Sequence, residues 1–226
     1  MTAPTTDPQR RALRRIARDP LSRRKFLALT GGTGASAAFL AACGDDDDDE
    51  TTTSTTDEMA TSGDPLADFG EGDLGIVNYA LTLEYLEAGF YAAVAKSGLF
   101  KGNERALIET IGKQEQEHVD ALTATAKDLG GKPAPEPKAE FPLDSAKEVV
   151  KLAATVENLG AAAYLGQAAA IQSPDVLAAA LSIHSNEGRH AAVLNVLAGE
   201  PVTPDGAFAM GADAQTVLDE VQPFLA

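Results

Sequence analysis

The sequence predicts an all-α fold: a four-helix bundle whose second and third helices are joined by a long crossover. Three observations predict it. From Asp73 onward the chain loses β-type alternation and becomes rich in Ala and Leu, with apolar residues three to four apart. Glycine and proline clusters divide it into four stretches of about 25 residues, each ~37 Å long as a helix. The separations run short, long, short. A short link forces its two helices antiparallel, whereas about 15 residues in the middle link can cover roughly 50 Å and carry the chain back along the whole bundle.

Each element has its own local cause. Asp73 is expected to cap a first helix running to about Ser97, with a turn at residues 98–102. Asn103 is expected to cap a second helix reaching Leu129, where Gly130 and Gly131 stop it. Pro133, Pro135, Pro137 and Pro142 exclude helix from residues 130–143. Asp144 or Ser145 opens a third helix to about Ile171. Ser173 then offers a cap and Pro174 the first position of a fourth helix, which ends at Gly199. The bundle is thus residues 73–199, followed by a looser extension, residues 200–226, with a short helix around residues 214–221.

Composition narrows the class. With 226 residues, one Cys, 20 Gly and 12 Pro, the chain is neither a disulfide scaffold nor a collagen-like repeat. Its net charge is −16, unevenly spread. Residues 1–42 hold eight Lys/Arg and two Asp/Glu, so residues 43–226 hold the other 10 and 32, a net of −22. So acidic a body repels phosphate backbones and excludes nucleic acid as a natural partner. Cations suit it.

The basic start reads as a targeting segment. Ser22-Arg23-Arg24-Lys25-Phe26-Leu27 has the form of a twin-arginine export signal, so residues 1–42 are expected to be a signal peptide. The weakly apolar stretch after it, residues 27–42, is too short and too diluted by Gly and Thr to span a bilayer stably, which takes roughly 20 apolar residues. Leu40-Ala41-Ala42-Cys43 resembles a bacterial lipoprotein processing box, so Cys43 is expected to carry a lipid and anchor the chain to the outer face of the cytoplasmic membrane or cell envelope. A free thiol is the plain alternative, but the only cysteine falls at the one position such processing needs. Residues 43–72, acidic and then Thr-rich, are expected to form a solvated linker.

The polar residues inside the helical stripes carry the chemistry. Glu84 lies among Val77, Ala80, Leu81, Ala88 and Tyr91, and Glu157 among Val150, Ala153, Ala154, Ala161 and Tyr164. The second helix carries Glu115 and His118, the fourth Glu187 and His190, each pair three apart and so on one face. Glu117 points away from Glu115, as a solvated charge does. Glu87 competes with Glu84 from one turn along, but Glu84…Tyr91 repeats the spacing of Glu157…Tyr164. Folding each hairpin at its turn brings its two glutamates level, because the midpoints fall at residues 99–100 and 172. With 16 Glu in 226 residues, two of three histidines having Glu three positions earlier is about a 1.5% coincidence. His184, the third, reads as a satisfied or exposed histidine.

Four carboxylates cannot share a dry core as anions, because desolvation and repulsion both oppose it. Two divalent cations balance them, and two imidazoles add neutral nitrogen ligands. Mixed O/N donors without thiolate suit Fe or Mn, and also Zn or Co. Terminal Glu84 and Glu187 with bridging Glu115 and Glu157 is one division of roles. Tyr91 and Tyr164 read first as core aromatics; near the cations their hydroxyls can hydrogen-bond a bridging glutamate or be oxidised.

One Glu from each of two helices plus Glu-x-x-His from each of the other two resembles the ferritin-like di-iron/di-manganese carboxylate pattern. Residues Asn78-Tyr79-Ala80-Leu81-Thr82-Leu83-Glu84-Tyr85-Leu86-Glu87-Ala88 further resemble the branch that includes desiccation-related ferritin-like proteins. The likeness covers residues 73–199. It implies a ferritin-like four-helix bundle with two ions, Fe first and Mn second, at Glu84, Glu115, His118, Glu157, Glu187 and His190. Metal ions are the implied partners, with O2 or peroxide as reactants, and a homodimer is open to the chain. Where bacterioferritin places Asp before the Glu of Glu-x-x-His, this chain has Gln114 and Asn186. Their amide oxygens are expected to orient an imidazole N–H without adding charge. The missing Cys-x-x-Cys module disfavours a rubrerythrin-type peroxidase, and a lipid anchor on every chain disfavours a closed storage cage.

Overall fold

A computed structural model describes residues 64–226. The twin-arginine segment, Cys43 and the acidic run of residues 45–50 lie outside the described residues. The described chain is helical, with α1 Gly72–Ser97, α2 Gly102–Asp128, α3 Ala146–Gln167, α4 Pro174–Ala198 and a short α5 Ala214–Val221. Its packing is that of two antiparallel hairpins, α1 with α2 and α3 with α4, laid together so that α1 meets α3 and α2 meets α4. The long crossover, residues 129–145, joins them. The predicted bundle and connection order hold. Among the described residues no helix is long and apolar enough to cross a membrane.

The helix ends show which local signals acted. Gly98 and Gly199 close α1 and α4 at φ 74° and 83°, a left-handed conformation in which a Cβ is strained. Ser145 and Ser173 cap α3 and α4 by accepting from the backbone N–H groups of Glu148 and Val176. Two expected caps are not caps. Helix α1 starts at Gly72, and the Asp73 carboxylate instead accepts from the backbone N–H groups of Gln172 and Ser173 at 2.8 and 2.7 Å, tying α1 to the α3–α4 turn. Helix α2 starts at Gly102 behind Lys101, ahead of Asn103 and without a side-chain cap. Helix α3 ends at Gln167 rather than near Ile171. A Cβ at Gly166 would collide with the Ala212 carbonyl, so the returning C-terminal segment crosses the last turn of α3 there.

That C-terminal segment is packed, not loose. Ala214, Val217 and Val221 of α5 are buried against Tyr79, Leu83, Leu86 and Ala163. Its end pairs with the crossover: Ala139 and Leu225 form an antiparallel bridge, and Phe141 packs edge-on against Phe90 and tilted against Phe224. Residues before α1 are held as well, since Phe69 packs edge-on against Tyr79.

Buried Asn78 ties these pieces to α1. Its amide donates to the carbonyls of Phe69 and Lys132 at 2.9 and 3.1 Å, and its oxygen accepts from the Ala134 N–H at 2.8 Å. Asn78→Ala leaves those three partly buried groups unpaired, at about 1 kcal/mol each. The expected loss is about 3 kcal/mol of unfolding free energy, read by urea denaturation followed by circular dichroism.

Candidate metal centre

The hairpin geometry brings the six predicted residues to one place at mid-bundle. Glu84, Glu115, Glu157 and Glu187 are all fully buried, while His190 is 5% exposed. Nδ1 of His118 lies 3.2 Å from Glu84, 2.9 Å from Glu115 and 3.1 Å from Glu187. Nδ1 of His190 lies 2.8 Å from Glu115, 3.2 Å from Glu157 and 3.9 Å from Glu187. One Nδ1 carries at most one hydrogen, yet each faces three carboxylates. Glu115 Oε1 and both Glu187 oxygens are consequently buried without a hydrogen bond. A cation at each imidazole would satisfy what a proton cannot.

The donors fall into two overlapping groups, Glu84, Glu115, His118 and Glu187, and Glu115, Glu157, Glu187 and His190, each with its ligand atoms within 4.8 Å of one another. Glu115 and Glu187 are common to both. This grouping differs from the division read from sequence, in which Glu115 and Glu157 are the shared pair. The Glu-x-x-His glutamates are the shared ones, and Glu84 and Glu157 serve one group each, because α2 and α4 lie side by side across the centre. Glu87 is buried too but belongs to neither group.

The two tyrosines are crossed between hairpins. Tyr91 of α1 donates to Glu157 of α3, and Tyr164 of α3 donates to Glu84 of α1 at 2.5 Å. Each partner glutamate belongs to only one of the two donor groups. A Cβ at Gly112 would lie 2.7 Å from the Tyr91 Cβ, so glycine there lets α2 approach α1 beside this ring. The orienting amides also depart from expectation. Gln114 and Asn186 do not serve one histidine each; both converge on His190, whose Nε2 lies 2.7 Å from Gln114 Oε1 and 2.9 Å from the Asn186 amide. Sequence spacing could not reveal this, since Gln114 reaches His190 across the α2–α4 seam. His184 stays outside, with its ring bonded to the Ala161 carbonyl, and Glu117 is exposed. A surface cleft between α2 and α4, lined by Gln114, His118, Ser182, Asn186 and Arg189, leads to the His118 side of the centre.

Residues 72–200 match the ferritin-like domain family. The chain belongs to that family. Its ferritin-like bundle is similar to the solved structure of a conserved hypothetical protein from Mycobacterium tuberculosis, at 23% identity and a TM-score of 0.50. The alignment covers 62% of this chain and 95% of that one, and at this identity the likeness concerns the fold alone. No curated protein matches the chain.

Electrostatics in this ferritin-like centre follow from burial first. Burial pushes the Glu84 carboxyl up to about 8 and Glu157 well above the carboxylate range, against the opposing hydrogen bonds of His118 and His190. Burial would raise Glu187 as well, but the two imidazoles beside it bring it to about 2. Burial alone would lower the imidazoles, yet their glutamate partners hold His118 at about 12 and His190 at about 11. Burial and the adjacent glutamates keep both tyrosine hydroxyls protonated as donors.

Without cations the centre therefore stores protons, and its stability depends on pH. The raised groups, His118, His190 and Glu84, contribute stability present below their unfolded values and lost as pH rises toward their folded ones. For Glu84 the window runs from 4.5 to about 8, and for the histidines it begins at 6.5. Glu187 acts oppositely, but only between 4.5 and about 2. Chelator-treated protein is expected to show a falling melting temperature from pH 5 to pH 9, which Mn(II) flattens in thermal scans.

Proposed function

We propose that this is an exported, lipid-anchored ferritin-like protein that holds two divalent cations and performs redox chemistry on Fe(II), O2 or peroxide. Fe is the first choice of metal and Mn the second. The observation that carries the reading is the pair of overlapping donor groups with orphaned oxygens on Glu115 and Glu187. Glu84, Glu115, His118 and Glu187 would hold one ion, and Glu115, Glu157, Glu187 and His190 the other. A pair of such ions supplies two electrons together. The chain's own residues set the conditions. Tyr164 and Tyr91 hold Glu84 and Glu157 by their hydroxyls, and Gln114 orients His190 through Nε2. The α2–α4 cleft is the route by which a small oxidant or an aqueous ion would arrive.

A second reading shares the metal and drops the turnover. All four glutamates are fully buried, which suits ions held for stability in an envelope stress protein, since metal bound only by the folded form stabilises it by mass action. Reconstitution under nitrogen with Fe(II), elemental analysis and exposure to O2 separate the readings. Two equivalents of iron per chain with an O2-dependent absorbance change, lost in Glu115→Ala, is the expected outcome. Two equivalents without any reaction favours the structural role.

Export and anchoring rest on the sequence of residues 22–43. Replacing Arg23 and Arg24 by Lys is expected to leave the chain in the cytoplasm. Cys43→Ser is expected to move exported protein from the membrane to the soluble fraction on immunoblots.

A further inference from the structure

Glu87 is the buried glutamate that the two donor groups leave out, with 3% of its surface exposed. The charged groups around its carboxyl are Glu187, Glu84, Glu157 and Glu115. A carboxyl so placed is unexplained by packing.

Its position follows from the crossed tyrosines. Glu84-x-x-Glu87-x-x-x-Tyr91 on α1 corresponds to Glu157-x-x-Gly160-x-x-x-Tyr164 on α3. Tyr91 bonds Glu157 and Tyr164 bonds Glu84, so residue 91 stands level with 157 and residue 84 with 164. Between those two rungs Glu87 and Gly160 come opposite each other, midway between the donor groups. The side chain absent at Gly160 is the space that Glu87 fills. A Cβ there would lie 2.7 Å from Glu87 Oε1 and 3.7 Å from Glu187 Oε2. Glu187 is shared by both groups, and its two oxygens are orphaned.

Resting on the dinuclear reading above, we propose that Glu87 is a fifth carboxylate ligand of the cation pair, closing the α1–α3 side of the centre opposite the histidines through the space left by Gly160. The two hairpins are alike in their other carboxylate and imidazole donors, so this substitution makes the ligand set asymmetric. It also changes the charge balance. Five carboxylates exceed the charge of two divalent ions by one, which favours a state with one trivalent ion.

The test uses Mn(II) with the purified protein and two variants, Glu87→Gln and Gly160→Ala. The second keeps the carboxylate but crowds it, and alanine suits a helix, so folding is not at issue. Expected in the wild type are two anomalous Mn peaks, one with a Glu87 oxygen at about 2.2 Å. Both variants are expected to bind one of the two ions at least ten-fold more weakly in titrations, with unchanged circular dichroism. Two peaks with Glu87 far outside ligand distance of both, or unchanged Mn(II) affinity in both variants, overturns the assignment. A wild type that binds no pair of ions overturns the dinuclear reading itself, and this one with it.

Discussion

Five carboxylates withdrawn from water in the middle of a helical bundle dominate the energetics of this protein. Taking such groups out of water costs several kcal/mol apiece unless counter-charge meets them. Two imidazoles and two phenols supply part of that compensation, with both histidines raised far above their ordinary values and both tyrosines held protonated. The compensation is incomplete, as the unpaired oxygens of Glu115 and Glu187 attest. The rest of the bundle serves to keep an incompletely neutralised polar core dry, and cations of the proposed kind would relieve it.

The two hairpins solve this problem in the same way. Each offers one glutamate from its first helix and Glu-x-x-His from its second, and each lends a tyrosine to the other's glutamate. Differences gather at the edges of this repeated plan. Glu87 faces Gly160, and both orienting amides serve His190. Around the core, Asn78, Asp73 and the C-terminal pairing at Ala139 and Leu225 fasten the connecting segments to the helices they pass.

Much of this was legible before any coordinates, and the reasons are physical. Helical periodicity and proline placement speak directly to backbone conformation, so four helices and a crossover could be read off. Antiparallel hairpins convert sequence separation into height, so the levels of Glu84 with Glu115 and of Glu157 with Glu187 could be computed from their turns. Quantities that depend on lateral placement could not. Which glutamates are shared depends on α2 lying beside α4, and no spacing within one helix encodes that. Glu87 shares a face with Glu84 at three residues' remove, so periodicity cannot separate a ligand from its neighbour. Asp73 looked like a cap because caps are local, whereas its real partners, Gln172 and Ser173, are a hundred residues distant. The membership in the ferritin-like family and the helical fold accord with the fold class read from the sequence.

The crossed phenol bonds also act as a ruler between the hairpins. Sliding α1 along α3 by a single turn would part both tyrosines from their glutamates at once, so neighbouring alignments gain no partial reward. One inserted residue between Glu84 and Tyr91 would swing the ring about 100° around the helix and lose the alignment altogether. Extra residues in the proline-bearing connection would leave both rungs untouched. Length is therefore policed within the helices by the rungs, and between them only where the connection is fastened, at Lys132, Ala134 and Ala139.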